Sequence, residues 1–142
     1  MRQLIIARKD LQMSPGKLAA QVSHGSMAFL TTMIRNSPYN TEPDFHNTWV
    51  KLTIPNEVMD WIEGSFVKTV CEARNRNHLE KAITYARELG LEEGKDFFLI
   101  RDNCLTELTP EDEDGRTLTC IGFRPLPDEI AHTISHHYQL YK

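Results

Sequence analysis

The sequence predicts an α/β fold, with one domain built on a four-stranded mixed β-sheet and helices on both faces in three layers. The length of 142 residues fits a single domain with its own core. Strand-like and helix-like segments follow in the order strand, helix, strand, helix, strand, strand, helix. The connection between the last two strands is too short for a helical crossover, so we expect these strands to be antiparallel.

Four short apolar runs bounded by charged or turn-forming residues predict the strands. If the first and third strands are parallel, the loop before Ser14 reaches the same sheet edge as Asp102 and Thr119. Open α/β sheets usually bind ligands at that edge. The predicted strands are residues 2–8, Ser65 to Ala73, Asp96 to Arg101 and Thr117 to Phe123.

The helices are predicted by their capping residues as well as by their apolar spacing. Ser14 and Pro15 predict the start of a long helix that ends near Arg35, because Ser is a preferred N-cap and Pro suits the first helical position. Gly90 predicts a left-handed C-cap for a second helix. The other expected helices are His78 to Leu89, a short amphipathic one after Pro55 and Asn56, and a last one that opens at Pro125, Pro127 and Asp128 and runs to about His136.

Residues 37–64 form an insertion-like excursion within the single domain 1–142. Residues 37–47 are polar and include two prolines, which favours a surface excursion over a linker between domains. The sequence TWVKLTI at residues 48–54 fits a strand or a helix equally well.

Composition excludes several classes of protein. The chain has no run of about 18 apolar residues, so we expect no membrane span and a cytoplasmic location. Three widely spaced cysteines suggest neither a disulfide framework nor a thiolate zinc site. Adjacent histidines on a helix point about 100° apart, so His136 and His137 predict no metal site.

The net charge of −4 is unevenly distributed along the chain. The first 41 residues contain five basic residues and one acidic residue, whereas the other 101 contain 11 basic and 19 acidic residues. The whole molecule is therefore no polybasic nucleic-acid binder. A local basic surface is still expected from the first 41 residues, extended by Arg101 and Arg124. The acidic residues Glu111 to Asp114 are expected on a protruding turn that limits where a polyanion can lie.

A polar stripe on the first long helix is the first candidate for a functional site. Lys17, Gln21 and His24 are spaced i, i+4 and i+7, so they share one helix face. Such a stripe is usually the solvated side of a helix. Lys17, however, lies in the first turn, where the helix dipole disfavours a cation. Together with the exposed N–H groups of that turn, it would form an anion-binding corner suited to a phosphate or an oxyanion.

The second candidate is Arg101-Asp102, followed by Thr106, directly after an apolar strand. A carboxylate in this place can simply cap a turn. If Lys17 and His24 lie at the same sheet edge, Asp102 becomes a candidate base or orienting partner.

Three segments together resemble the type II peptidyl-tRNA hydrolases, a family found mainly in archaea and eukaryotes. They are MSPGKLAAQVSH (Met13 to His24), FLIRDNCLT (Phe98 to Thr106) and TLTCIGFRPLPDE (Thr117 to Glu129). The resemblance implies a hydrolase that cleaves the ester between a peptide and the 3′ ribose of tRNA. It also implies that no metal or organic cofactor is needed and that peptidyl-tRNA is the partner. Many members of the family are homodimers, but motif matches alone do not carry this property over to the present chain.

Site residues follow from the resemblance one position at a time. The essential lysine of the family is similar to Lys17 and its aspartate to Asp102, while its two threonines match Thr106 and Thr119. Gln21 and His24 match helix positions beside them and are expected to bind substrate with Arg101 and Arg124. We expect Thr106 and Thr119 to hydrogen-bond the substrate, and binding of tRNA to be weak and salt-dependent.

The chain departs from the family pattern at several positions. Asp-Ala-Gly becomes Asp102-Asn103-Cys104, and Cys does not replace Gly freely where φ is positive. Glu107 stands where Gln is common, and Gly-Pro-Ala-Pro becomes Arg124 to Pro127. These changes indicate a divergent member.

Two other functions remain open at this stage. One is a non-catalytic paralogue that retains the fold and binds RNA or protein. The intact residues Lys17, Asp102, Thr106 and Thr119 count against it. The other is a thiol hydrolase that uses Cys104 or Cys120 with His24, because a cysteine nucleophile needs only a nearby base.

Overall fold

The computed structural model describes residues 1–41 and 46–142. Its main element is a mixed sheet with the strand order β5-β6-β1-β4-β7. These strands are β1 (Gln3–Arg8), β4 (Lys68–Ala73), β5 (Phe97–Asp102), β6 (Thr117–Phe123) and β7 (Gln139–Leu140). A separate two-stranded sheet consists of β2 (Tyr39–Thr41) and β3 (Thr48–Val50). The helices are α1 (Pro15–Arg35), α2 (Asn56–Glu63), α3 (Arg76–Glu88) and α4 (Asp128–Ser135).

The predicted α/β class and mixed sheet are confirmed, but the prediction of four strands is wrong. The main sheet has a fifth strand, β7, which pairs antiparallel with β4 at the sheet edge. Both residues of β7 are exposed. So short an exposed strand has no apolar run from which it could be predicted.

Alternating residues of β1 pack against helices on opposite faces of the sheet. Leu4 and Ile6 belong to the core that includes α3 and α4. Ile5 and Ala7 instead pack with α1 side chains. A strand buried on both faces reads as a continuous apolar run, which is the pattern that predicted β1.

Strand directions bring three chain segments to one edge of the sheet. Strand β6 is antiparallel to both β1 and β5, so β1 and β5 are parallel to each other. The end of β1, the end of β5 and the start of β6 therefore meet, as the sequence predicted. Asp102 is the last residue of β5 and pairs with Thr117 at the start of β6.

Helix α1 crosses β6 at a contact between two glycines. A Cβ added to Gly122 would lie 2.6 Å from the Cα of Gly25 and closer still to its carbonyl oxygen. A Cβ on Gly25 would meet the Ile5 side chain at 3.2 Å. Only glycine at position 122 allows the backbones to approach this closely, whereas a Cβ at position 25 would require its neighbours to shift by a few tenths of an ångström.

A β-bulge distorts β6 beside Asp102. Ile100 pairs with Cys120, but Arg101 pairs with Leu118, which leaves Thr119 as an extra residue. Leu118 lies in the core shared with α3 and α4, whereas Thr119 and Cys120 both contact Gln21 of α1. The bulge thus turns two successive side chains towards α1, contrary to ordinary strand alternation.

The excursion at residues 37–64 contributes to the core as well as to the surface. Of the stretch 48–54, which fitted either a strand or a helix, Thr48–Val50 form β3 and the rest is irregular. Helix α2 buries Val58 and Trp61 against Phe29 and Phe98. Part of the expected surface excursion, residues 42–45, lies outside the described residues. No helix in the described part of the chain is long and apolar enough to cross a membrane.

We predict that Gly122→Ala destabilises the protein by about 1–3 kcal/mol, because the added methyl group overlaps the α1 backbone. The measurement is the free energy of unfolding from denaturant titration. Gly16→Ala is the matched control, since a Cβ there meets nothing within 4 Å. Equal stability of Gly122→Ala and the wild type would contradict the close helix–sheet contact.

Candidate active site

The start of α1 places the first candidate residue at the sheet edge. As predicted, Ser14 is the N-cap and its side chain accepts a hydrogen bond from the backbone N–H of Lys17. Pro15 occupies the first helical position, and the helix ends at Arg35. The cap fixes the first turn, so the Lys17 side chain starts from a defined position.

Lys17 and Asp102 form an ion pair that is largely shielded from solvent. The Lys17 Nζ lies 2.7 Å from the Asp102 Oδ1, and the two side chains are only 14% and 11% exposed. Nζ also donates to the Thr106 Oγ1 at 3.1 Å. Because an ammonium group has three N–H donors, one remains for another group.

Two successive hydrogen bonds link the buried Thr119 to Asp102 through Gln21. Thr119 Oγ1 donates to the Gln21 Oε1 at 2.6 Å, which fixes the orientation of the Gln21 amide. The Gln21 Nε2 then donates to the Asp102 Oδ1 at 3.2 Å. The structure therefore brings together five of the predicted site residues, namely Lys17, Gln21, Asp102, Thr106 and Thr119.

The expectation that Thr119 hydrogen-bonds the substrate does not fit its burial. Thr119 is 0% exposed, and its hydroxyl contacts the Gln21 side chain and the carbonyl oxygen of Ile100. Gln21 is 3% exposed, so it is equally shielded from a substrate in solution. The geometry supports a positioning role for both residues, whereas Thr106 is exposed beside Lys17.

Opposing effects set the pKa of Asp102. Burial acts to raise it, but hydrogen bonds from Lys17, the Cys104 backbone N–H and Gln21, together with the Lys17 charge, hold the pKa below its ordinary value. The Cys104 N–H donates to Oδ2 at 3.0 Å, so both carboxylate oxygens accept hydrogen bonds. Asp102 is thus a fully bonded carboxylate anion, suited to orienting Lys17 rather than to accepting a proton.

The expected anion-binding corner at the start of α1 is occupied by a side chain of the protein itself. The Glu107 carboxylate accepts from the Ser14 backbone N–H at 2.9 Å and from the Ser14 hydroxyl at 2.6 Å. These hydrogen bonds lower the pKa of Glu107. The contact holds the loop that carries Thr106 against α1. In the sequence, only the unusual residue Glu107 pointed to this contact. Ser14 and Glu107 lie 93 residues apart in the chain, so no local pattern could predict that they meet.

Three predicted substrate-binding residues lie outside this group. His24 is exposed on α1, about 10 Å along the helix axis from Lys17, and does not join the hydrogen-bond network. Arg101 lies next to Asp102, but the alternation of β5 places it on the opposite face of the sheet.

The prediction that Arg124 extends the basic edge is wrong. Arg124 follows the far end of β6 and pairs with Asp96 at 2.6 Å. Strand β6 has seven residues, so its two ends are about 20 Å apart. The predicted antiparallel direction of β6 already implied this position, because Arg124 follows the end of the strand opposite to Thr117.

The basic surface expected from the first 41 residues is largely neutralised. Four of its five cations form ion pairs, and in the described part of the chain only Arg35 does not. The four pairs are Arg2 with Asp128, Arg8 with Asp10 and Glu111, Lys9 with Glu72, and Lys17 with Asp102. The uneven charge along the sequence therefore reflects internal pairing more than a basic face.

The acidic turn is partly neutralised as well. The Arg8 Nη2 donates to Glu111 at 3.0 Å, and the Arg76 Nη1 donates to Asp112 at 2.8 Å. Asp114 pairs with Arg116 at 3.2 Å, and Glu113 is exposed. The turn is thus tied to the sheet edge by its ion pairs.

The two cysteines near the site do not have the environment of a nucleophile. Burial raises the pKa of Cys120 to about 12, and its Sγ contacts the carbonyl oxygen of Gln21. The Cys104 Sγ lies near Thr117 and the Asp102 carbonyl, and its hydrogen bonds within residues 1–41 and 46–142 involve no histidine. The geometry therefore disfavours the thiol hydrolase.

These features define a class of protein: an α/β domain in which an ion-paired lysine and an exposed hydroxyl meet at the ligand-binding edge of the sheet. The model of the family described as "Peptidyl-tRNA hydrolase PTH2" matches residues 1–141. The chain is 30% identical to a peptidyl-tRNA hydrolase of Thermococcus onnurineus, over 98% of this chain and 96% of that protein. It is 33% identical to one of Methanopyrus kandleri, over 90% and 87% of the two chains. The chain belongs to the PTH2 family of peptidyl-tRNA hydrolases.

We predict that Cys104→Gly is more stable than Cys104→Ala by ~1 kcal/mol. Cys104, which stands where the resemblance implies Gly, has a φ of +59°, and an L-residue in this region is strained. Both variants remove the thiol, so their difference isolates the backbone effect. The free energy of unfolding of each variant measures it, and equal values would contradict the strain.

Proposed function

We propose that this protein hydrolyses the ester between a peptide, or an N-blocked aminoacyl group, and the 3′ ribose of tRNA, releasing free tRNA. Membership of a family of peptidyl-tRNA hydrolases supports the reaction. The observation that carries the proposal is the shielded Lys17–Asp102 pair, which leaves one ammonium donor of Lys17 available beside an exposed hydroxyl.

Lys17 is the electrophilic group of the proposed mechanism. Attack of water on the ester carbonyl, with loss of its proton to solvent, produces a tetrahedral oxyanion, whose negative charge must be stabilised. Collapse of this intermediate breaks the ester C–O bond, and the 3′ oxygen of the ribose leaves as a hydroxyl after taking a proton from solvent. The remaining N–H of Lys17 can donate to that oxygen, while Asp102 and Thr106 hold the other two donors. The low exposure of the pair strengthens the interaction, because little water competes for the charge.

Asp102 orients Lys17 and balances its charge. Its carboxylate accepts hydrogen bonds from Lys17, Gln21 and the backbone of Cys104. A carboxylate with these partners is a weak base, so the proposal assigns it no proton transfer. Thr119 acts through Gln21 as a positioning residue, since it touches neither Lys17 nor the solvent.

Thr106 is the hydroxyl that meets the substrate. Its oxygen accepts from Lys17, so its own proton is free to be donated to the substrate. The Glu107–Ser14 contact fixes the loop on which Thr106 lies. An ester needs less help for its leaving group than an amide does, which agrees with a site that offers charge and hydrogen-bond donors rather than a strong acid.

We predict that Lys17→Ala and Asp102→Asn each slow single-turnover release of peptide from a defined N-acetyl-aminoacyl-tRNA by about 100-fold or more. The expectation follows from losses of about 10²–10³ on removal of an oxyanion donor. Lys81→Gln is the control, because Lys81 is exposed on α3. Near-wild-type rates in folded Lys17 and Asp102 variants would overturn the assignment. Binding of tRNA without any turnover by the wild type would favour the non-catalytic paralogue.

The lowered pKa of Asp102 predicts where acid inactivates the enzyme. A carboxylate whose pKa is lowered in the folded state remains charged at pH 5, and its ion pair is lost only as the pH falls through that lowered value. We therefore expect kcat/KM to show no loss due to Asp102 between about pH 5 and 7. A pH–rate profile with Asp102→Asn for comparison measures this. An acid limb near pH 6 that Asp102→Asn abolishes would contradict it.

A further inference from the structure

Three cations without a carboxylate partner lie at the end of α1 that is farthest from the Lys17–Asp102 pair. In the described part of the chain, Arg35, Lys51 and Lys95 form no ion pair. Arg35 lies in the last turn of α1, Lys51 follows β3, and Lys95 precedes β5. Three separate chain segments therefore bring uncompensated positive charge to one end of an acidic protein.

Lys51 and Lys95 line the same cavity, which has a volume of about 420 Å³ and which we call the lysine cavity. Its wall also includes the polar side chains of Thr32 and Asn36 and the ring of Phe98. None of the described residues that line it is acidic. Arg35 is the chain neighbour of Asn36. The lysine cavity thus offers ammonium and neutral hydrogen-bonding groups, which together suit a phosphate.

One side of α1 runs from the Lys17–Asp102 pair to Arg35 and ends beside the lysine cavity, whose own α1 residues lie about 60–160° around the helix from that side. Arg35 is 18 residues from Lys17, which is five helical turns, so both lie on the same side of the helix. The exposed His24 lies between them on that side, and we call this surface the α1 flank. Helix α1 contains no Asp or Glu. The α1 flank is about 27 Å long from Lys17 to Arg35.

Acidic residues border the site in the other directions. Helix α2, which carries Glu57, Asp60 and Glu63, packs against Leu30 and Met33 on the opposite side of α1 from Lys17 and Arg35. Because Met33 and Lys95 also line a neighbouring cavity with Glu57 and Asp96, acidic side chains border the lysine cavity on the α2 side. Beyond the start of α1 lie Glu107 and the acidic turn at 111–114. A polyanion that reaches Lys17 therefore meets least repulsion along the α1 flank.

We propose that the α1 flank and the lysine cavity bind the phosphodiester backbone of the tRNA acceptor arm while its 3′ ester lies at Lys17. This inference rests on the proposed function, because it takes the tRNA portion of the substrate as the ligand. The acceptor arm is a long double helix with the ester at its tip, so its phosphates can follow a surface about 27 Å long. Lysine contacts to phosphate carry no sequence information, which suits an enzyme that must accept every tRNA.

The test is the salt dependence of tRNA binding by the double variant Lys51→Gln/Lys95→Gln. Fluorescence anisotropy gives the Kd for deacylated tRNA over a range of salt concentrations. Each lost phosphate contact lowers the slope of log Kd against log salt by about 0.7–0.9, so we expect a decrease of roughly 1.4–1.8. Between about 50 and 200 mM salt, the wild type should lose about tenfold more affinity than the variant.

The matched control is Lys81→Gln/Arg87→Gln, which removes two exposed cations from α3 on the other face of the sheet. It changes the net charge equally, so its slope should match that of the wild type. Equal slopes for all three proteins would overturn the proposal. Equal decreases in both variants would also overturn it, because they would indicate a general charge effect.

A minimal substrate separates this inference from the proposed function. The same N-acetyl-aminoacyl ester on a CCA trinucleotide is too short to reach the lysine cavity, so both double variants should hydrolyse it at the wild-type rate. Slower hydrolysis by Lys51→Gln/Lys95→Gln alone would show that these lysines act on the fold or the reaction centre, contrary to the proposal. If the wild type cleaves neither substrate, the proposed function fails, while the binding slopes still decide the inference.

Discussion

The contact between Gly25 of α1 and Gly122 of β6 determines the geometry on which the site depends. Without side chains at this crossing, the helix lies directly on the strand, so Gln21 reaches Thr119 and Lys17 reaches Asp102. A side chain at Gly122 would move the helix away from the sheet and lengthen both contacts. The pair that we place at the reaction centre is thus held by backbone packing two helical turns along α1 from Lys17, and the bulge at Thr119 adapts the strand to it.

Sequence patterns predicted most of the fold because its elements have strong local signals. The Ser14 cap, the left-handed Gly90 and the apolar run of β1 all act over a few residues. The exposed strand β7 and the bulge have no such signal, since pairing across the sheet creates them. The sequence also located the residues that converge at the sheet edge, but not the burial of Thr119, which depends on the register shift in β6. The distance of Arg124 follows from the antiparallel direction that the sequence did predict.

Charge along the chain proved a poor guide to charge on the surface. Ion pairs across the fold neutralise most cations of the first 41 residues, and Glu107 occupies the start of α1. The protein therefore combines a shielded charge pair at the reaction centre with uncompensated cations at the far end of the same helix. This separation suits a polyanionic substrate, because the cations can attract the phosphates of the substrate at a distance from the Asp102 carboxylate, which would repel them.

The central claim is that Lys17 and Asp102 act as one unit, with Asp102 serving only to hold and balance the lysine. A double-mutant cycle of single-turnover rates on N-acetyl-aminoacyl-tRNA tests it most directly, using Lys17→Ala, Asp102→Asn and the combined variant. Residues that act as a unit are strongly non-additive. The combined variant should therefore be no slower than Lys17→Ala alone. A combined effect equal to the product of the two single effects would mean that each residue acts independently and would contradict the account.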